Sequence, residues 1–404
     1  MTRDDMQPRR PQNPQRIFLF LLISACSALS AVTVVSQSRP RARDLGIVAG
    51  IYPSGARNAI TDVEGVRVGH TTIVEGDRVR TGVTAIVPHG GNLFQDKVAG
   101  AVFVGNAFGK LAGSTQVNEL GTIETPIVLT NTLSVGTAMD AVVRYTIAQP
   151  GNEQVRSVNA LVGETNDGGL NDIRGLHVTR EHVIAAIAGA TNGPVAEGTV
   201  GAGTGTVNYG WKGGIGTSSR KLALRQAQGE REYTVGVLAQ TNFGGNLTIA
   251  GVPIFRSLQP PGRRSASARP EPVDSQLRTS ETSGDGSCML VVATDAPLDA
   301  RDLRRLAARA IFGLARTGSS YSNGSGDFAI AFSTSPEMRS RFNETAARAH
   351  AILPPDAASP LFEAALEATE EAVYNALFQA TTVRSAIGTA EAIPIERVRE
   401  LLKR

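Results

Sequence analysis

Apolar and polar residues alternate over 60–73, around Gly65 and Gly69, and the alternation predicts two short strands joined by a turn. Further strands are predicted at 81–88, 99–106 and 126–131. The period then changes. Val135, Ala138, Met139, Val142, Val143 and Ile147 recur at three- and four-residue spacings, which predicts a helix over 134–148. A strand at 159–164 runs into a loop, and a helix of small residues follows at 182–190. Strands at 233–240 and 247–252 bracket the loop 241–246. Beyond a polar tract, 289–294 reads as a strand and 298–316 as a helix. Its apolar face carries Leu303, Leu306, Ala307, Ala310, Ile311 and Leu314, with Asp302, Arg305 and Arg309 opposite. Gly318 is placed to end that helix. A strand at 328–333 precedes a mainly helical remainder, whose longest candidate is 361–380. Strands, paired helices, strands and helices in this order predict sheets covered by helices rather than a barrel or a bundle.

Composition narrows the picture. A chain of 404 residues can bury a large core, as one large domain or two to three small ones. Gly is abundant at 43 residues and aromatics are scarce at 5%, which favours tight turns and close backbone packing. The net charge of +3 balances 40 basic against 37 acidic residues, and no basic stripe with interleaved aromatics points to nucleic acid. The Gly/Thr-rich segment 198–216 has neither a G-x-G-x-x-G order nor a following Lys-Ser/Thr, so it argues for close strand crossings or site loops rather than a nucleotide cradle. His70, His89, His177, His182 and His350 form no H-x-x-H or H-E-x-x-H pair, and neither metal nor cofactor is implied.

The first 38 residues read as an export signal. Arg9, Arg10 and Arg16 precede a soft apolar stretch over 17–35, with small residues and a cleavage point near Ser36 or Ser38. Ile23-Ser24-Ala25-Cys26 also matches a bacterial lipobox, so lipid anchoring at Cys26 is the weaker alternative to a periplasmic or secreted protein. No later segment offers 18 uninterrupted apolar residues, and no stable membrane span is expected. Once the signal is removed, Cys288 is the remaining cysteine and no intrachain disulfide forms.

The chemistry is concentrated at Ser283-Gly284-Asp285-Gly286-Ser287-Cys288-Met289-Leu290. This run follows a Pro/Arg/Ser-rich tract over 256–284, which cannot form a core and is expected to be mobile, and it opens directly into an apolar strand. A cut before Ser287 would give a serine at a chain terminus. Such a serine carries its own base, an α-amine with a reference pKa of about 8. The alternative is a plain turn entering a strand.

Several other stretches accompany this junction in order. They are Asn58-Ala59-Ile60-Thr61-Asp62-Val63 with Val68-Gly69-His70, Arg80-Thr81-Gly82-Val83-Thr84-Ala85, Thr130-Asn131-Thr132 with Ser134-Val135-Gly136, and the runs 164–172, 212–220 and 316–327. Together they resemble the family of L-aminopeptidases/D-esterases and β-peptidyl aminopeptidases. The resemblance implies a four-layer α/β/β/α sandwich similar to N-terminal-nucleophile hydrolases but with different strand connectivity. It implies a single catalytic domain over 39–404, cut by the chain itself between Gly286 and Ser287 into a large subunit, 39–286, and a small one, 287–404. Ser287 is then the nucleophile, Asn242 the oxyanion donor, and Ser325 and Asp327 the pair beside the nucleophile. Glu164 would receive the substrate's free amino group, although on chemistry alone Asp167 and Asp172 compete for that role. Aspartate at 327 stands where β-peptide-cleaving relatives commonly carry glutamate. The implied substrates are short peptides or aminoacyl amides and esters with a free N-terminus, of β- or α-residues. The implied assembly is a tetramer of processed heterodimers. Two other readings remain at this point. One is a self-cleaving acetyl-transfer enzyme of arginine biosynthesis, against which Ser287 and the export signal both argue. The other is an envelope binding protein that only retains the fold.

Overall fold

The structure, a computed structural model, describes residues 39–226, 229–261 and 286–403. The predicted export signal, the Cys26 lipidation site and the greater part of the polar tract, 262–285, lie outside the described residues.

Two sheets carry the fold. The first contains β1 (Arg67–Glu75), β2 (Val79–Val87), β4 (Leu111–Ala112), β6 (Ile127–Asn131) and β7 (Leu161–Thr165), in the order β1-β2-β6-β7-β4. The second runs β10-β11-β12-β13-β3-β14, with β5 pairing β3 at its side. Its members are β3 (Asp96–Ala107), β5 (Thr122–Ile123), β10 (Gly214–Gln226), β11 (Gly229–Asn242), β12 (Ser287–Thr294), β13 (Gly326–Ser333) and β14 (Ser340–Arg341). A small hairpin of β8 (Val207–Asn208) and β9 (Trp211–Lys212) stands apart.

The alternation of side chains along the strands builds the layers. In β12, Met289, Val291 and Ala293 face the first sheet and pack with Ile86, Leu129 and Leu161. Leu290 and Val292 face the other way, onto Leu303, Leu306 and Ala310 of α4 (Ala300–Arg316) and Ala365, Ala372 and Leu377 of α5 (Ser359–Gln379). The first sheet repeats the device. Val83, Ala85, Val128 and Val162 turn outward onto α2 (Val135–Ile147) and α3 (Arg180–Ala188). The short α1 (Ser114–Leu120) lies in a connection, and α6 (Ile395–Leu402) closes the described chain. The result is helix, sheet, sheet, helix. Each fully buried aliphatic side chain in these three cores stabilises the fold by roughly 1.5–3 kcal/mol.

Most predicted elements are found, with three differences. Residues 60–62 form a 3-10 turn rather than a strand, because the Asp62 carboxylate accepts from the N–H groups of Arg57 and Ala59 and folds the chain back on itself. Residues 247–252 make a tight turn in which Ile249 pairs only with Val252, since Ala250 and Gly251 both take positive φ. The long edge strand β10 has no counterpart in the apolar pattern. Its residues Thr217, Ser218, Ser219 and Arg220 are polar yet buried. Helix α5 satisfies two of them: Arg220 Nε and Nη2 lie 3.1 and 2.8 Å from Glu367 and Glu371, and the Ser218 hydroxyl donates to Ala368 O; the Thr217 hydroxyl donates to Val237 O and the Ser219 hydroxyl to Asp62.

Candidate active site

Ser287 is the first residue of β12, in the middle of the second sheet. It pairs with Asn242 of β11 on one side and with Gly326 of β13 on the other. Ser287 is still joined to Gly286, whose φ is +153°. A Cβ at Gly286 would fall 2.1 Å from Asn242 O, so only glycine fits this bend. The Gly326 N–H donates to the carbonyl oxygen of Gly286 at 3.1 Å and to Ser287 Oγ at 3.3 Å. One backbone donor thus touches both the carbonyl and the hydroxyl that a self-cleavage reaction would join.

Asn242 ends β11. Its Oδ1 accepts from the Val207 N–H at 2.9 Å, which ties down the carbonyl end of the amide and leaves the NH2 end as donor. Val207 is therefore an orienting residue that sequence patterns did not single out.

Ser325 and Asp327 flank Gly326, and the pairing of β12 with β13 brings both to the Ser287 end of the sheet. Their loop is clamped from β3: the Asn106 amide donates to Ser322 O and Ser325 O at 2.7 and 2.6 Å, and the Phe108 N–H donates to Ser325 O at 3.1 Å. Both side chains are buried, and among the described residues neither Ser325 Oγ nor either Asp327 oxygen has a hydrogen-bond partner. Burial pushes the Asp327 carboxyl up to about 6, and the nearby Ser325 hydroxyl offsets only part of that push. Burial therefore disfavours the charged form of this carboxyl unless a further donor or cation faces it.

A cleft of about 840 Å³ opens in front of Ser287. Gly286, Ser287, Asn242 and Gly324 line its floor side, and Phe108, Lys110, Thr132 and Glu164 are also among its lining residues. Glu164, near the end of β7, is buried. Its Oε1 accepts from the Lys110 N–H at 3.0 Å and lies 3.8 Å from Lys110 Nζ, and its Oε2 accepts from the Thr132 hydroxyl. Glu164 and Lys110 are the two charged residues among those lining the cleft.

The model of "Peptidase family S58" matches residues 58–390. The chain belongs to peptidase family S58. It is 40% identical to the beta-peptidyl aminopeptidase BapA of Sphingosinicella microcystinivorans, over 91% of this chain and 93% of that protein. Among solved structures it is similar to the PH0078 protein of Pyrococcus horikoshii OT3, with a TM-score of 0.80 and 44% identity over 90% of this chain and 99% of that one. It is also similar to the L-aminopeptidase D-Ala-esterase/amidase of Ochrobactrum anthropi, described as a variant of the Ntn-hydrolase fold, with a TM-score of 0.79 and 36% identity over 90% of this chain and 98% of that one. As an S58 protein the chain is a hydrolase of the aminopeptidase type that works through a serine nucleophile.

Within this S58 fold the other two acids considered for the ammonium role stand elsewhere. Asp167 is buried behind the cleft, where it accepts from the Asn171 amide at 3.0 Å, and burial lifts its pKa to about 6. Asp172 sits 3.6 Å from His177 Nε2 and does not line the cleft. Lys110, like Val207, is a cleft residue that sequence reasoning missed. Its nearness to Glu164 depends on Leu111 pairing with Gly163, which only the assembled sheet reveals. Among the described residues no group of three or more His, Cys, Asp or Glu could hold a metal.

Proposed function

We propose that this S58 protein cuts itself between Gly286 and Ser287 and then removes one N-terminal residue, β or α, from short peptides, amides or esters. The observation that carries the reading is Ser287 itself. It lies between the Asn242 amide and the Ser325/Asp327 pair, on the floor of a cleft whose acid is Glu164.

Before the cut the Ser287 nitrogen is an amide and has no free pair to act as a base. In this reading Asp327, whose raised pKa suits a base, takes the hydroxyl proton by way of Ser325. Ser287 Oγ attacks the Gly286 carbonyl carbon. The Gly326 N–H supports the negative charge that develops on the carbonyl oxygen, the C–N bond breaks, and the nitrogen takes up a proton. Water then hydrolyses the ester, giving a Gly286 carboxylate and a free Ser287 with its own α-amine.

In the processed enzyme that amine is the base. It accepts the Oγ proton as the hydroxyl attacks the substrate carbonyl, and Asn242 donates to the oxyanion. The leaving amine or alcohol takes the proton away, and water clears the acyl-enzyme by the same route. Glu164 holds the substrate's ammonium, which fixes the distance from the N-terminus to the reacting carbonyl and limits removal to one residue. Export, to the periplasm or out of the cell, and a tetramer of processed heterodimers complete the reading. Among the described residues no helix is long and apolar enough to cross a membrane.

Mass spectrometry of protein purified from a protease-deficient host tests the first step. The expected fragment begins at Ser287, and Ser287→Ala leaves one chain. A wild-type protein that is active while fully intact refutes the mechanism. N-acetylated peptides test the second step: hydrolysis as fast as that of free peptides would make the protein an amidase or endopeptidase instead.

A further inference from the structure

We infer that Lys110 is a specificity-determining residue, facing the ammonium anchor Glu164 before substrate binds and turning to a substrate's free carboxylate when it does. The inference rests on Glu164 being the ammonium anchor.

Glu164 is already well bonded. The Thr132 hydroxyl takes Oε2 and the Lys110 N–H takes Oε1, so the charge left to balance on Oε1 is faced by Lys110 Nζ at 3.8 Å. An arriving substrate ammonium needs that same oxygen. Two cations on one carboxylate oxygen repel, and the two partners differ in freedom. The Glu164 side chain is 2% exposed and fixed by its bonds, whereas the Lys110 side chain is 57% exposed on a flexible four-carbon stem. Lys110 is therefore the group that moves.

Its displacement changes the charge of the cleft. The lining residues include one acid and one cation, which balance each other. Filled, Glu164 is balanced by the substrate ammonium, and Lys110 remains as an unbalanced positive charge at the edge. A substrate with its own anion a short distance from its N-terminus neutralises it. A dipeptide with a free C-terminus places its carboxylate about 7 Å from its amine, at about 3.5 Å per extended residue. That lies within reach of a lysine that started beside the ammonium site. A carboxamide or an ester offers no such charge.

The two roles act on substrates with opposite signs, and this separates them from mere structural support. Lys110→Met keeps the stem and the backbone N–H that bonds Glu164, and removes the charge. It should lower KM for a dipeptide carboxamide, because nothing then competes for Glu164. For the same dipeptide with a free carboxylate the lost attraction offsets that gain, so KM should fall less or rise. The preference for the acid over the carboxamide should drop about two- to fivefold, the range of a solvent-exposed ion pair, and the effect should shrink in high salt. Lys110→Arg should restore the preference for the free acid. The measurement uses wild-type and variant enzyme already shown to be cleaved. An unchanged preference between the two substrates, or no shift in KM for the carboxamide, overturns the proposal. An N-acetylated dipeptide hydrolysed as fast as the free one would instead overturn the ammonium reading on which it stands.

Discussion

Asp327 offers the most quantitative test of the site. In the uncleaved chain its carboxyl is buried without a hydrogen-bond partner among the described residues, and its pKa rises from 3.8 to about 6. A shift of about 2 units corresponds to about 3 kcal/mol. The sign follows from proton binding. Between the unfolded and folded pKa values the folded state binds more protons, so folding stability falls as the pH rises through that window and is level above it. Asn at this position carries no such dependence. In protein held uncleaved by Ser287→Ala, Asp327→Asn should therefore gain up to about 3 kcal/mol relative to Asp327 between about pH 4 and pH 7. Any offset present at both pH values reports the buried amide itself and is set aside. The assay is urea unfolding of the two uncleaved proteins across that range, comparing midpoints at equal m-values. A difference that stays flat with pH would refute the picture of an uncompensated buried charge.

Other outcomes follow from the same geometry. Asn242→Ala, measured on cleaved material, should lower kcat by two to three orders of magnitude with little effect on KM, since removing one oxyanion donor costs about 3–4 kcal/mol; a change confined to KM would argue against the role. Glu164→Gln should raise KM for free-amine substrates and narrow their advantage over N-acetylated ones in steady-state kinetics. Arg220→Met leaves Glu367 and Glu371 as buried acids without their shared guanidinium, and should cost about 3–5 kcal/mol in denaturant unfolding; adding Glu367→Gln and Glu371→Gln should recover a large part of that loss.

The apolar pattern carried most of the fold because the strands that matter are packed on both faces or alternate cleanly. Met289, Val291 and Ala293 against Leu290 and Val292 is a pattern legible without a structure. The stripe of α4 is equally plain, down to Gly318, where a Cβ would meet Asn246 O at 1.9 Å. The pattern failed where polarity was buried. Strand β10 conceals Thr217, Ser218 and Arg220 beneath α5, and a reading based on hydrophobic period has no term for partners more than a hundred residues away. The site residues divide the same way. Ser287, Asn242, Ser325, Asp327 and Glu164 stand in recognisable runs, and of the three acids considered Glu164 is the one that lines the cleft. Lys110, Val207 and the Gly326 N–H act through contacts that no local motif announces.

The position of β12 and β13 in the second sheet bears on how the protein comes to be active at all. The strands that precede the proposed cut, β10, β11 and β3, flank β12 and β13, which follow it, and the short β14 from after the cut pairs on the far side of β3, so that the sheet reads before, before, after, after, before, after. Fragments interleaved in this way cannot be made separately and then joined without threading strands into a finished sheet. The intact chain closes that sheet as an intramolecular event; two severed pieces would have to find each other first, at a concentration-dependent rate. Folding must therefore come before cutting. The nucleophile's amine is then created only in molecules whose sheet has already aligned Ser287 with Asn242 and Gly326. Activity becomes a certificate of correct folding, issued once. A processed molecule that later unfolds has lost the connectivity that let it assemble and should regain activity poorly on dilution from denaturant, whereas the uncleaved Ser287→Ala chain should refold at a rate independent of its concentration.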